Sequence, residues 1–303
     1  MNGQRRALIT GVEGFTGRYL RREMASSGWD VFGIGTHAKD DDPTYRKVDL
    51  LDKAALSDWI NVVAPDVVLH LAGIAFVGHG DSDAIYNINL MGSRNLLAAL
   101  AASAKRPEAV LLASSSNVYG NAAGGVLDEN SIPHPVNDYA VSKLAMEHMA
   151  RLWLDRLPII IARPFNYTGV GQSESFLLPK IVSHFRQRAD MIELGNLDVC
   201  RDFSDVRSVV QAYRKLIEVK PTGETVNICS GRTNSLRDVL RMVEALSGHK
   251  MAVRVNPNFV RSNEVRSLSG NPAKLHRLIG DWNTPPLEDT LRWMLGDGAI
   301  APV

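Results

Sequence analysis

A chain of 303 residues, 45% hydrophobic and 22% charged, can bury one large core or two unequal lobes of an ordinary globular protein. Its formal net charge of +1 offers no global field to nucleic acid or an anionic membrane, so an anionic ligand must be met by local arginines or helix ends. No apolar run approaches the ~18 residues of a membrane span.

Gly11, Glu13 and Gly14 interrupt the apolar stretch after Arg5 and Arg6 too early for a signal peptide. The two cysteines, Cys200 and Cys229, lack metal or redox spacing, which predicts a reducing cytoplasm and no bound metal. Ala7-Leu8-Ile9-Thr10 predicts a first buried strand, with a helix around residues 19–25 behind it. Val31-Phe32-Gly33-Ile34, Val67-Val68-Leu69 and Val110-Leu111-Leu112 predict further strands, and residues 95–100 a helix between the last two. Ile159-Ile160-Ile161 follows another helical segment. Continuous apolar strands alternating with helices predict an α/β fold, a doubly wound parallel sheet covered on both faces.

After Arg163-Pro164 the alternation loosens. Residues 225–228 read as a buried strand returning to the main sheet. Helical patterns near 236–246 and 287–295 predict a smaller C-terminal α+β lobe. The division is residues 1–165 plus about 202–230 for the larger domain, and about 166–201 plus 231–303 for the lobe, with a ligand cleft between them.

Gly11, Gly14 and Gly17 follow the first strand directly and open the first helix. Glycine lets the backbone turn tightly and approach a pyrophosphate, while a helix N-terminus supplies N–H donors and positive potential. The spacing is Gly-x-x-Gly-x-x-Gly rather than Gly-x-Gly-x-x-Gly. Turn glycines are common by themselves; their place between strand and helix points to a dinucleotide. The second strand ends Gly35-Thr36-His37-Ala38-Lys39, with no carboxylate to bond ribose hydroxyls and repel a 2′-phosphate. NADPH, or either of NADP and NAD, is the expected cofactor. Thr36 and His37 read as cofactor contacts or equally as an uninvolved surface turn.

Tyr139 and Lys143 stand four apart in a helical segment and share a face. A neighbouring ammonium brings a phenol down from its reference pKa of about 10 towards proton transfer at neutral pH. Ser114-Ser115-Ser116-Asn117 follows the strand around 110–113, at the ligand edge of a parallel sheet. Alone, the first is a surface helix pair and the second a polar turn. In this order behind the glycine turn they predict an enzyme.

These segments carry a resemblance. Thr10-Gly11-Val12-Glu13-Gly14-Phe15-Thr16-Gly17, His70-Leu71-Ala72-Gly73, Ser114-Ser115-Ser116-Asn117-Val118-Tyr119-Gly120 and Tyr139-x-x-x-Lys143 are similar to the extended short-chain dehydrogenases/reductases, over nearly the whole chain. The resemblance implies a Rossmann domain that holds NADP or NAD through Gly11, Gly14, Phe15, Thr16, Gly17, Thr36 and His37. Asp49 and Leu50 serve its adenine side, and Leu71, Ala72, Gly73, Arg163 and the supporting Asn89 complete the site. It implies Tyr139 as general acid, Lys143 on the nicotinamide ribose, and Ser115, four before Tyr119, on the substrate carbonyl oxygen. Asp49 also reads as a turn cap and Asn89 as a buried helix polar group.

Arg163-Pro164-Phe165-Asn166-Tyr167-Thr168-Gly169-Val170-Gly171-Gln172, the segment 195–203 and Arg261-Ser262-Asn263-Glu264-Val265 resemble GDP-sugar members, the mannose dehydratases and 4-keto-6-deoxymannose reductases. Tyr167 stands where those carry His, and Val170 where they carry Pro. The likeness implies a nucleotide-sugar substrate. Ser116 and Asn117 lie beside the sugar, Asn166 and Arg201 near its diphosphate, Arg261 on phosphate and Glu264 on the nucleoside ribose. Arginine's planar fork suits phosphate, although Arg201 and Arg261 also read as surface ion pairs.

The 4,6-dehydratases carry a catalytic carboxylate where Asn117 stands, and an amide is no general base. The resemblance therefore implies NAD(P)H-dependent reduction of a C4 ketone, that of GDP-4-keto-6-deoxy-D-mannose, to GDP-D-rhamnose. A C4 epimerase that keeps its NAD, a GDP-mannose 4,6-dehydratase and a non-catalytic dinucleotide sensor are the rival readings. A homodimer through helices near 90–103 and 139–154 is a family expectation, though those apolar stripes read equally as core faces.

Overall fold

The computed structural model describes residues 4–38, 42–75, 80–120, 125–259 and 265–296. β1 (Arg6–Thr10) turns through glycines into α1 (Phe15–Ser26), and β2 (Asp30–Gly35) pairs with β1 in parallel. A three-residue β3 (Tyr45–Lys47), too short to show a sequence period, extends that edge before α2 (Lys53–Val63). β4 (Val67–His70) lies on the other side of β1. From there α3 (Ser82–Tyr86) runs through a π-helical turn, Asn87–Gly92, into α4 (Ser93–Ala102).

β5 (Ala109–Ala113), a 3₁₀ turn (Ser116–Tyr119), β6 (Val126–Leu127), α5 (Asp138–Arg151) and β7 (Ile159–Pro164) follow. The chain then leaves the sheet through β8 (Asn166–Thr168), α6 (Leu177–Arg186), β9 (Met191–Leu194) and β10 (Cys200–Asp205), and returns with α7 (Val206–Val219) and β11 (Thr225–Ile228). It continues through β12 (Thr233–Ser235), α8 (Leu236–Ser247), β13 (Ala252–Val255), β14 (Ser267–Gly270), α9 (Ala273–Ile279) and α10 (Leu287–Leu295).

The main sheet runs β11-β7-β5-β4-β1-β2-β3, parallel throughout. This is the doubly wound α/β fold that the apolar runs predict. Alternate side chains of one strand feed opposite cores. Ala7 and Ile9 face α1 and α7, packing with Leu20, Met24 and Val209. Leu8 faces α2, α4 and α5, packing with Ile60, Leu97 and Met146. Both faces are covered, so β4 and β11 are buried at every position, the polar His70 and Asn227 included. The strand order reverses between β1 and β4, which opens a crevice at their C-terminal ends.

In the lobe, β12-β10-β14-β6 form a second sheet with β8 on β10, and β9 pairs with β13. Leu178, Ile181, Phe185, Val239 and Leu291 of α6, α8 and α10 close a third core. α8 begins at a reciprocal Ser235–Asp238 capping box and stops at a left-handed Gly248, which fixes both of its ends. No helix among the described residues is long and apolar enough to cross a membrane.

Candidate active site

The crevice begins at the glycine turn. Gly11 has φ +70°, and a Cβ there would stand 2.8 Å from Ala72 N, so β1 and β4 meet across bare backbone. Its N–H donates to Ile34 O at 2.8 Å, tying the turn to β2. A Cβ on Gly17 would lie 2.2 Å from Gly11 O and 2.7 Å from Val12, which only glycine avoids. Gly14 is the N-cap of α1 and brings no side-chain cap, and the first turn holds no acid. The leading N–H groups of a 12-residue helix are left for an anion.

The residues present thus fit a dinucleotide pyrophosphate. Gly17→Ala is expected to cost about 1–3 kcal/mol of stability through overpacking and to weaken NAD(P)H binding by about tenfold or more. A thermal melt and a fluorescence titration check the two effects separately.

His70 anchors the same end of β4. Its Nδ1 meets Thr10 Oγ1 at 2.6 Å and its Nε2 meets Ser93 Oγ at 2.8 Å. Burial, and then the charge of Lys143, lower its pKa to about 3, so the imidazole is a neutral connector. Asn89, in the π-helical turn, accepts from Ile74 N at 2.8 Å and donates to Ser142 Oγ at 3.0 Å, bracing the β4 loop against α5. The mid-helix π turn gives its side chain room between the two.

Tyr139 and Lys143 sit on the first turns of α5, which Asn137 caps by accepting from Ala140 N at 2.9 Å. They are 7% and 6% exposed. Lys143 Nζ donates to Ala113 O at 2.8 Å, and a Cβ on Gly73 would come within 3.3 Å of it. Burial brings the Lys143 ammonium down to about 8, against an upward pull from Glu147. The expected lowering of the phenol is not found: burial pushes Tyr139 up to about 12, and a hydrogen bond with Ser115 offsets this only in part. A phenol held protonated suits an acid that gives a proton up, rather than a base.

Ser115 caps the 3₁₀ turn, its Oγ accepting from Asn117 N at 3.1 Å, so its hydroxyl is fixed beside Tyr139. Asn117 and the buried Ser116 line the same cleft, whose volume is about 420 Å³. Across it stand Pro164, Asn166 and Tyr167. The Tyr167 ring stacks on Phe15 at 6.2 Å, and its hydroxyl meets Thr16 Oγ1 at 2.8 Å, clipping the lobe to the glycine turn. An adjoining open groove of about 520 Å³ beside α6 shares Gln172 but has none of the strand-end glycines or serines.

Several residues expected as contacts do not line the cleft. Arg163, 3% exposed, is committed below the cleft floor, with Nε and Nη2 on both oxygens of Glu147 at 2.8 and 2.6 Å and Nη1 on Tyr119 at 2.9 Å. Burial opposes its charge, but Glu147 and Tyr119 more than restore it. Its side chain is held in a buried ion pair and is not among the residues lining the cleft. The Leu50 side chain packs into the core under Gly92, and Asp49 accepts from Leu51 N at 2.9 Å in its own turn. Thr36 and His37 are exposed at the end of β2, where Tyr45 donates to His37 O at 2.6 Å.

Ala72 abuts Gly11, while Leu71 and Gly73 line the cleft. Arg201 reaches Cys200 O and Arg266 O, at 2.9 and 3.3 Å, outside the cleft lining. Arg261 and Glu264 fall outside the described residues. Glu147 was missed by sequence reasoning, although its place four beyond Lys143 and the arginine inside the apolar strand of β7 together signal a buried pair.

A family model described as the NAD dependent epimerase/dehydratase family matches residues 7–229. GDP-6-deoxy-D-talose 4-dehydrogenase of Aggregatibacter actinomycetemcomitans is 33% identical, over 90% of this chain and 91% of its own. GDP-6-deoxy-D-mannose reductase of Pseudomonas aeruginosa is also 33% identical, over 96% of each chain. Among solved structures, RMD from Pseudomonas aeruginosa complexed with NADPH superposes with a TM-score of 0.84 at 33% identity, covering 97% and 98% of the two chains. A Burkholderia cenocepacia chain provisionally called an epimerase gives a TM-score of 0.91 at 53% identity, covering 96% and 97%. With its glycine turn, serine cap and Tyr139–Lys143 helix converging on one crevice, the chain belongs to the NAD dependent epimerase/dehydratase family and is an NAD(P)-dependent enzyme of the extended short-chain dehydrogenase/reductase type.

Proposed function

We propose that the protein reduces the C4 ketone of GDP-4-keto-6-deoxy-D-mannose to GDP-D-rhamnose. The observation that carries this reading is the amide of Asn117 beside a serine–tyrosine pair whose phenol is kept protonated. Elimination needs a carboxylate base, and none stands at that position. Reduction needs a proton donor, which the pair provides. The names of the two curated relatives, both for GDP-6-deoxyhexoses, support the substrate class.

The nicotinamide, when bound, supplies the hydride. Ser115 donates to the ketone oxygen, and Tyr139 gives its proton to that oxygen as the C=O electron pair moves onto it. Lys143 supplies positive charge that stabilises the phenolate left behind. Gly11, Gly14, Phe15, Thr16 and Gly17 hold the dinucleotide phosphates, with Leu71, Gly73 and Lys143 along the path to the nicotinamide. Ser116, Asn117 and Asn166 face the sugar, and Arg201, Arg261 and Glu264 serve the nucleotide. The larger domain, 1–165 with about 202–230, carries the cofactor and the lobe carries the substrate.

NADPH is the preferred donor, supported by the absence of a carboxylate at residues 36–38. A homodimer in the cytoplasm fits the exposure of Met91 and Val141 on the α4–α5 side and the two free thiols. The test is incubation with NADPH and GDP-4-keto-6-deoxy-D-mannose, with the product identified by NMR. Stoichiometric NADPH loss with GDP-D-rhamnose formation is expected. A 6-deoxytalose product, or turnover only with another keto sugar nucleotide, overturns the substrate and product while sparing the class.

A further inference from the structure

Tyr139, Lys143 and Glu147 follow one another at four-residue intervals, so they stand on successive turns of one face of α5, all buried. Each holds a different residue at the end of β5. Tyr139 is hydrogen-bonded with Ser115, Lys143 Nζ donates to Ala113 O at 2.8 Å, and Ser114 Oγ donates to Glu147 Oε1 at 2.6 Å. Consecutive residues of the strand end are thus registered against the helix that carries the proton donor.

Ser114 is the middle one of these. Its N–H donates to Ala162 O at 2.7 Å, one residue past the end of β5, and the chain then leaves the sheet for the 3₁₀ turn. The carboxylate that receives its hydroxyl cannot swing: Arg163, on the neighbouring β7, bonds both oxygens at 2.8 and 2.6 Å. That bidentate pair already matches the charge of Glu147. What the Ser114 bond adds is position, since it joins the strand end to α5 at the residue before Ser115. Ser114 is 3% exposed and its hydroxyl is committed to Glu147, so it is placed to act through its neighbour rather than on a ligand.

We propose that Ser114, anchored by Glu147, is a positioning residue that holds the Ser115 hydroxyl in register with Tyr139. This rests on the serine–tyrosine pair being the reacting pair of a keto sugar nucleotide reductase. Reacting groups must stand about 3–3.5 Å apart and aligned, so a small displacement of Ser115 lowers the rate without removing any group.

The test is a cycle of Ser114→Ala, Ser115→Ala and the double variant against wild type. For each, kcat and KM for GDP-4-keto-6-deoxy-D-mannose are measured, with an NADPH titration and a thermal melt. Ser114→Ala removes one oxygen and strands no charge. Its kcat is expected to fall roughly ten- to a hundredfold, the cost of a displacement of about 1 Å, while KM and NADPH affinity stay within about twofold. On the Ser115→Ala background the same change lowers kcat by no more than about twofold, because the group it positions is already gone. If the alanine variant melts below the assay temperature, Ser114→Cys, with a weak donor of similar size, takes its place in the cycle. A kcat within about twofold of wild type in Ser114→Ala, or a loss repeated in full on the Ser115→Ala background, overturns the inference. NADPH affinity falling in step with kcat also overturns it, since the change then disturbs the cleft as a whole. If wild type oxidises NADPH with no keto sugar nucleotide, the reading of the reaction fails rather than the role of Ser114.

Discussion

Replacement of Tyr139 by phenylalanine is expected to lower kcat roughly 10²–10⁴-fold, the usual worth of a positioned acid, while NAD(P)H binding stays within about twofold of wild type. The ring is buried and its packing survives the substitution; what is lost is one hydroxyl, bonded to Ser115. The phenol lies at about 12, so it is protonated throughout the neutral range and ready to donate. Steady-state kinetics and a fluorescence titration separate the two readouts. A variant at the wild-type rate would remove Tyr139 as the proton donor, and a parallel loss of cofactor binding would make it structural.

Glu147→Ala is expected to destabilise the protein by roughly 3–5 kcal/mol, the cost of stripping a buried ion of its partner. Glu147 is 0% exposed and accepts from Arg163 at 2.6 and 2.8 Å and from Ser114 Oγ at 2.6 Å. Its loss strands the guanidinium at the end of β7 and frees Ser114, the residue before Ser115. The melting temperature should fall by roughly 10 °C or more. Glu147→Leu combined with Arg163→Leu is expected to be less destabilised than either single change, because no unpaired charge remains. If the double variant is the least stable of the three, the ion pair contributes more than its burial costs, and the argument from stranded charge fails.

Periodicity exposed the parallel sheet because strands covered on both faces cannot alternate: Ile159, Ile160 and Ile161 point into two cores and must all be apolar. Residues 225–228 do return to that sheet, although Thr225 and Asn227 interrupt their apolar character. β3, β6, β8 and β12 were not, because two or three residues carry no period. At the site, Gly11, Ser115, Tyr139 and Lys143 stood out by type and order, and the fold brings them to one cleft.

Motif position says nothing about the direction in which Arg163 points. Its side chain points back under the sheet end, towards a carboxylate sixteen residues earlier in the chain. The pKa of Tyr139 was misjudged because helical spacing alone does not reveal the burial that raises it.

The most direct test of the account is the fate of a label. With reduced cofactor deuterated on the transferred face of its nicotinamide and the 4-keto sugar nucleotide as acceptor, NMR of the product should show one deuterium on sugar C4 and one oxidised cofactor for each sugar formed. Label retained on the cofactor with the C4 ketone left unreduced, or a reduced sugar carrying no deuterium at C4, would contradict reduction at this cleft.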